Sequence, residues 1–243
     1  MALSDTTADP VDLRSQVVAA SIRLFSAQGY EATTVDAIAA EAGVSRRTLF
    51  RQFRSKEDMI FADHEVLLRQ VTERLAAEEA AGADPWTAVC GAAEIVFTHF
   101  RANRAQAVER LHIVARVPAL RDRELVTTYR YQRVFEEFLR RRLPDVPPVH
   151  LVGYAAAITS AHNFTLRQMI RGDVDATIDR LRADLRRIRL ALGSAAAGGD
   201  TVPEPGPTSI TIVTYPDGTA SEAITAAIAE HLRTRVLSED TER

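Results

Sequence analysis

A chain of 243 residues, 46% of them apolar, has the length for one large domain or a small domain beside a medium one, and is too apolar to be disordered. A net charge of −3 argues against indiscriminate coating of nucleic acid, and the single cysteine, Cys90, excludes an internal disulfide or a zinc cluster and suits a reducing interior. The opening residues, MALSDTTADPVDL, have neither a basic nor an apolar signal region, and no apolar run approaches the roughly 18 residues of a membrane span, so a soluble, cytoplasmic protein without membrane association is expected.

Residues 1–8 read as disordered. Asp9-Pro10 offers an N-cap and a first-turn proline, and Leu13, Val17, Ala20 and Leu24 then recur at helical spacing until Gly29. Thr34 caps a short second helix with Val35, Ile38 and Ala42 on one face, stopped by Gly43. Ser45 caps a third helix that buries Leu49 and Phe53. Ser55, with Asp58 as an approximate capping box, opens a fourth that the periodicity of Ile60, Leu67, Val71 and Leu75 carries to about Ala80. Further helices are expected near 85–101, 104–116, 119–143, 149–171 and 174–192, punctuated by prolines and Gly172. The fold class is therefore all-α, about nine helices. A Gly/Pro/Ala linker follows at 194–207, then an extension over 208–243 that begins with a strand-like segment, TSITIVTY, and ends in a helix. That strand would need a counterpart across a dimer axis or a partner's sheet edge, because one strand is not stable alone.

Between Val44 and Lys56 there are five cations (Arg46, Arg47, Arg51, Arg54 and Lys56) and no acid, and Lys56 is the only lysine in the chain. A charge run is usually a solvated helix face. Its setting here is a pair of short helices joined by the tight turn Ala42-Gly43-Val44-Ser45, a helix-turn-helix arrangement in which the second helix enters the major groove. Arg46 and Arg47 in the first turn of that helix oppose its macrodipole at a cost of roughly 0.3–1 kcal/mol each. A solvated face gains nothing from such placement; a helix that meets phosphates or guanine edges does.

The ordered residues Leu24-Phe25, Gly29-Tyr30, Thr33-Thr34-Val35, Ile38-Ala39, Ala42-Gly43-Val44-Ser45, Thr48-Leu49-Phe50, Phe53 and Ser55-Lys56-Glu57 resemble the N-terminal domain of the TetR family of bacterial transcriptional regulators. The resemblance implies a DNA-binding domain over residues 10–55 and a helical effector-binding and dimerisation domain over 56–193. It implies that Thr34 and Ser45 offer hydroxyls and helix N-terminal amides to phosphates, and that Arg46, Arg47, Thr48 and Arg51 meet base edges or flanking phosphates. It places Lys56 on a phosphate, and Phe50 and Gln52 where the family often has backbone-contacting tyrosine or histidine. Phe50 lacks the hydroxyl and can only stack. Arg47 stands where glycine is frequent and can add a contact. Asp5, Asp9 and Asp12 precede the first cation, Arg14, so no minor-groove arm is expected.

A short recognition helix reads few base pairs, so a homodimer on a palindromic double-stranded DNA operator is expected. Ile178, Leu181, Leu185, Ile188 and Leu192 form a heptad-type stripe that suits a dimer seam, with Ile158 among small residues on the preceding helix, although packing within the protomer would give the same pattern. Trp86, Phe97, Phe100, Tyr129, Tyr131, Phe135, His162 and Met169 fit either an ordinary core or an apolar pocket with a few polar points. The resemblance implies that such a pocket takes a small hydrophobic or acyl-type effector that releases a repressor from DNA. An orphan regulator controlled by a protein partner is the alternative. No nucleophile–base pair, Gly-rich phosphate loop or metal-ligand spacing stands out, so neither an enzyme, a metal nor a cofactor is expected.

Overall fold

The computed structural model describes residues 10–193, with side chains from Leu13 onward. Over that range the elements are α1 (Pro10–Gln28), α2 (Val35–Glu41), α3 (Arg46–Gln52), α4 (Lys56–Ile60), α5 (Asp63–Ala80), α6 (Pro85–Ala102), α7 (Arg104–Arg116), α8 (Pro118–Arg142), α9 (Pro148–Arg171) and α10 (Ile178–Ile188), with a terminal π-helical turn at Arg189–Gly193. The described residues are thus all-helical. The linker over 194–207 and the strand and helix expected beyond it lie outside them.

Local chemistry sets the first three helices. The Thr34 hydroxyl accepts from the Ala37 N–H at 3.1 Å and the Ser45 hydroxyl from the Thr48 N–H at 3.1 Å, each satisfying an orphan donor at a helix start. Between them, the Gly43 N–H donates to the Ala40 carbonyl and the Val44 N–H to the Ala39 carbonyl, a Schellman closure. It requires the left-handed backbone seen at Gly43, φ +67°, where any other residue is strained. Ile38, Leu49, Phe53, Val17, Ile22 and Phe25 meet in the core these helices enclose.

The long fourth helix expected from Ser55 to Ala80 is divided. Met59, Ile60, Phe61 and Ala62 are four consecutive buried residues, and one straight helix cannot turn four neighbours to the same side. The chain breaks at Phe61-Ala62, so that all four join the N-terminal core, while Leu67, Val71 and Leu75 of α5 enter a second core. The N-terminal core also takes in Ile113 and Val114 of α7 and Leu120 of α8. Packing therefore crosses the sequence boundary at residue 55.

The second core is built from α5, α6, α8, α9 and α10. Tyr154 is completely buried, its ring edge-on to Trp86 at 4.6 Å between centroids and its hydroxyl donating to the Trp86 carbonyl at 2.8 Å. Leu181 and Leu185 of α10 are fully buried against this core, with Ile178 and Ile188 beside them, and Ile158 of α9 is buried too. Of the two readings of this stripe, the packing within the protomer is what these residues show: α10 turns its apolar edge inward onto α6 and α9 and leaves Arg180, Arg182, Arg186 and Arg187 outside. Only Leu192 of that set is exposed. Leu185→Ala should lower the unfolding free energy by about 2–5 kcal/mol, as buried leucine truncations do. In urea titrations the loss should be the same at every protein concentration; a loss that grows on dilution would put Leu185 at a subunit seam.

Candidate nucleic-acid interface and internal cavity

The third helix has two unlike sides. Leu49 inside it and Phe53 at its C-cap are buried, which turns Arg46, Arg47, Phe50, Arg51 and Arg54 to solvent. Arg46 is tied loosely: its guanidinium reaches Asp36 at 3.0 Å and lies 5.2 Å from the centre of the Phe50 ring. Both partners of that ion pair are more than half exposed, so it is worth little and a phosphate can replace it. Among the described residues Arg47 and Arg51 have no hydrogen-bond or ion-pair partner. The Gln52 side chain accepts from Arg14 of α1 at 3.4 Å, which draws it toward the N-terminal core and away from the exposed arginines.

Lys56 has partners within the protein. Its Nζ donates to the Tyr30 carbonyl at 2.7 Å and sits 3.8 Å from the Tyr30 ring centre, and the Tyr30 hydroxyl in turn donates to Glu57. The ammonium thus fastens the loop before α2 to the start of α4, and its half-buried position leaves less of it for a phosphate.

A cavity of about 90 Å³ lies in the helical body, with Phe61, Phe100, Tyr131, Phe135, His162 and Leu166 among its walls. At one end it meets a charged cluster. Asp63, in the first turn of α5, receives both guanidinium nitrogens of Arg110 on α7, at 3.1 and 2.6 Å, and His99 Nε2 lies 3.6 Å away. Arg110 rests between the rings of Phe61 and Phe100, 6.0 and 5.4 Å from its guanidinium carbon. Burial alone would push the Asp63 carboxyl upward; the charge of Arg110 and the hydrogen bonds from His99 and Arg110 hold it far below the ordinary carboxylate range. His64 bridges Tyr131, at 3.0 Å from Nδ1, and Arg110, at 3.4 Å from Nε2. Because the guanidinium can only donate, Nε2 accepts and Nδ1 carries the proton. Burial brings His64 down to about 4. Among the described residues no group of His, Cys, Asp or Glu is placed to hold a metal ion.

The model of the family described as bacterial regulatory proteins, tetR family, matches residues 17–62, the stretch that contains both short helices and α4. Over this N-terminal stretch the chain is similar to the TetR family. It is 35% identical over 117 residues to the regulator TcmR of Streptomyces glaucescens, covering 44% of this chain and 50% of that protein. It is 44% identical over 48 residues to the regulator HbdR of an Aromatoleum strain, covering 20% of this chain and 21% of that protein. The chain thus spans about half the length, or less, of these curated relatives. Among solved structures it shares its fold with the regulator FadR of Bacillus subtilis in complex with stearoyl-CoA, at a TM-score of 0.52 and 16% identity over 72% of this chain and 96% of that one. The fatty acid degradation regulator FadR of Bacillus halodurans is similar, with a TM-score of 0.51 and 14% identity over 72% and 94% of the two chains.

The nine residues expected at DNA fall into groups. Arg46, Arg47, Phe50 and Arg51 share the exposed face, Thr34 and Ser45 cap helices, Thr48 bonds Ser45 at 2.8 Å, and Gln52 and Lys56 are engaged within the protein. Of the eight pocket candidates, Phe100, Tyr131, Phe135 and His162 line the cavity. Trp86, Phe97 and Met169 are buried core away from its wall, and Tyr129 points outward at 55% exposure. Sequence reading missed Asp63, Arg110, His64 and His99. An acid followed by histidine at a helix start was the available signal, but its arginine lies 47 residues on. No helix among the described residues is long and apolar enough to cross a membrane.

Two outcomes are expected here. Lys56→Gln should lower the stability of the protein by about 1.5–3 kcal/mol, the worth of a hydrogen bond to a charged group, and weaken binding to all DNA sequences alike. A variant with unchanged unfolding midpoint and weaker DNA binding would make Lys56 a plain phosphate contact. The buried His64 and His162 both lie near 4 in the folded chain, below their ordinary 6.5. The unfolded chain therefore binds more protons between those values, so urea stability should be full above pH 6.5 and fall as pH drops toward 4. His162→Gln should flatten part of that slope.

Proposed function

We propose that this protein is a transcriptional repressor that binds a palindromic operator as a homodimer and leaves it when a small hydrophobic or acyl-type effector enters the helical body. The observation that carries the reading is the pairing of an exposed, unpartnered Arg47 and Arg51 on a capped recognition helix with a cavity whose wall includes Phe61, at the end of the DNA-binding unit. Arginines with no partner to lose meet guanine edges or phosphates at the least cost. Arg46 exchanges Asp36 for the duplex, and the N-terminal amides next to Thr34 and Ser45 take phosphates.

Phe61 and Arg110 border both the cavity and the joint between α4 and α5. An occupant that shifts them shifts α4 and, through the shared core, α3. Coupling of about 1–3 kcal/mol would change operator affinity 5–150-fold. Stearoyl-CoA in a protein of the same fold supports an acyl-type ligand as one candidate class.

A dimer needs a surface other than the inner edge of α10. On α9, Val149, Gly153, Ala157, Ser160 and Phe164 recur at helical spacing on the outward face, with Val149 and Phe164 about 70% exposed. Next to it α8, tied to α9 by Glu124–Arg167 at 3.0 Å, exposes Leu125 and Tyr129. Large apolar residues around small ones let a second copy approach closely, and we assign the seam to this face.

Selection of bound fragments from a random DNA pool by the full chain tests the reading. Two half-sites related by a two-fold axis are expected, about 10–10.5 base pairs apart centre to centre or a multiple of that. Arg47→Ala should weaken the selected site by about 1–3 kcal/mol more than random DNA; equal losses would make Arg47 a phosphate contact. Phe164→Glu should convert a dimer to a monomer in sedimentation and abolish binding to the full palindrome. A single, non-repeated site bound by a monomer would refute the dimer.

A further inference from the structure

We infer that the cavity takes a neutral, compact, ring-shaped molecule carrying a hydroxyl or N–H donor, and that Nε2 of His162 receives this donor. The inference rests on the effector reading above and narrows its ligand class.

Charge comes first. Two arginines stand in the wall, and each already holds a carboxylate: Arg110 on Asp63 at 2.6 Å and Arg167 on Glu124 at 3.0 Å. The wall's histidines, His64 and His162, are kept neutral by burial, both near 4. The wall is therefore neutral in sum. A charged occupant would give up its hydration and find no free counter-charge.

The hydrogen-bonding groups narrow the choice further. Thr127 and Thr159 donate to the carbonyls of Arg123 and Ala155 on their own helices, and Tyr131 is engaged with His64. The Asn163 amide nitrogen turns to the Thr128 hydroxyl at 3.5 Å, so its oxygen faces His162 Nδ1 at 3.1 Å. An amide oxygen only accepts, which puts the imidazole proton on Nδ1 and leaves Nε2 a bare acceptor. His162 is 6% exposed, and its Nε2 has no hydrogen-bond partner. An acceptor sealed in a ligand-sized wall without a partner asks for a donor from the occupant. The Arg110 Nε is likewise unpartnered and is a donor, so a hydroxyl, which both donates and accepts, suits this wall better than an N–H.

Shape sets the rest. The cavity measures about 90 Å³ and is faced by the rings of Phe61, Phe100 and Phe135. That is small beside the roughly 300–1,000 Å³ of pockets for larger ligands. Flat rings stack against such walls, and a long chain would have to part the helices along its whole length.

Calorimetry on the full chain with 2-naphthol, its methyl ether 2-methoxynaphthalene, and dodecanoyl-CoA tests this, each also assayed for its effect on binding to the selected operator. Expected is a 2-naphthol affinity at least tenfold above that of the methyl ether. His162→Leu should erase the preference, and His162→Gln, whose amide oxygen still accepts, should keep part of it. Equal affinities in the unaltered protein, or a preference that survives His162→Leu, would overturn the inference. Binding of dodecanoyl-CoA with release of DNA, and none of 2-naphthol, would overturn it while leaving the effector reading in place. Selective binding of 2-naphthol without any change in operator affinity would support it and count against the effector reading. Binding by none of the three would overturn both.

Discussion

The Asp63–Arg110 ion pair is the interaction on which the rest of the structure depends. It lies at the break between α4 and α5, where the N-terminal core ends and the second core begins, and both side chains are more than 90% buried. Two charges in such a place are tolerable because both carboxylate oxygens of Asp63 take the two terminal guanidinium nitrogens of Arg110, with His99 and His64 at the margins. An apolar pair would have filled the same volume at less desolvation cost. What the charged pair adds is direction: it fixes where α5 starts relative to α7, and so where α4 and the recognition helix stand relative to the cavity.

A second economy concerns the arginines. This chain carries 30 cations, only one of them lysine. On the body helices many are matched to acids three or four residues away, as with Arg133–Glu137, Arg140–Glu136 and Arg180–Asp184. Such pairs steady a helix surface and neutralise it. On α3 the pattern stops: among the described residues Arg47 and Arg51 have no acid within reach, and the helix dipole works against the cations at its start. Arg47 and Arg51 thus stand together as uncompensated positive charge on one short helix, against a slightly negative background.

The N-terminal half of this architecture was legible because it is local. Caps at Thr34 and Ser45, a glycine in the left-handed region at Gly43 and apolar spacing across three helices are each written within a few residues of one another. The body was legible as helices but not as a site. The periodicity of Ile178, Leu181, Leu185 and Ile188 announces a buried edge without saying against what, and α6 and α9 of the same chain supplied the partner. The aromatic residues divide between core and cavity on tertiary placement alone: Phe97 and Phe100 lie one helical turn apart, yet only Phe100 reaches the cavity. Lys56 shows the opposite difficulty, since a motif position implied an outward role and the Tyr30 carbonyl took the ammonium inward. Asp63 and Arg110 could not be paired from sequence, because nothing local links residues 47 apart.

The measurement that tests this account most directly is a double-mutant cycle on the joint, using Asp63→Asn, Arg110→Gln and the double variant, read by urea unfolding. If the pair ties the two cores together, each single variant should lose about 3–5 kcal/mol, the cost of leaving one buried charge alone. The double variant should then lose much less than the sum, with a coupling of about 2–3 kcal/mol. Additive losses, within about 0.5 kcal/mol, would mean that the two side chains act independently and that the joint between recognition helix and cavity is held by something else.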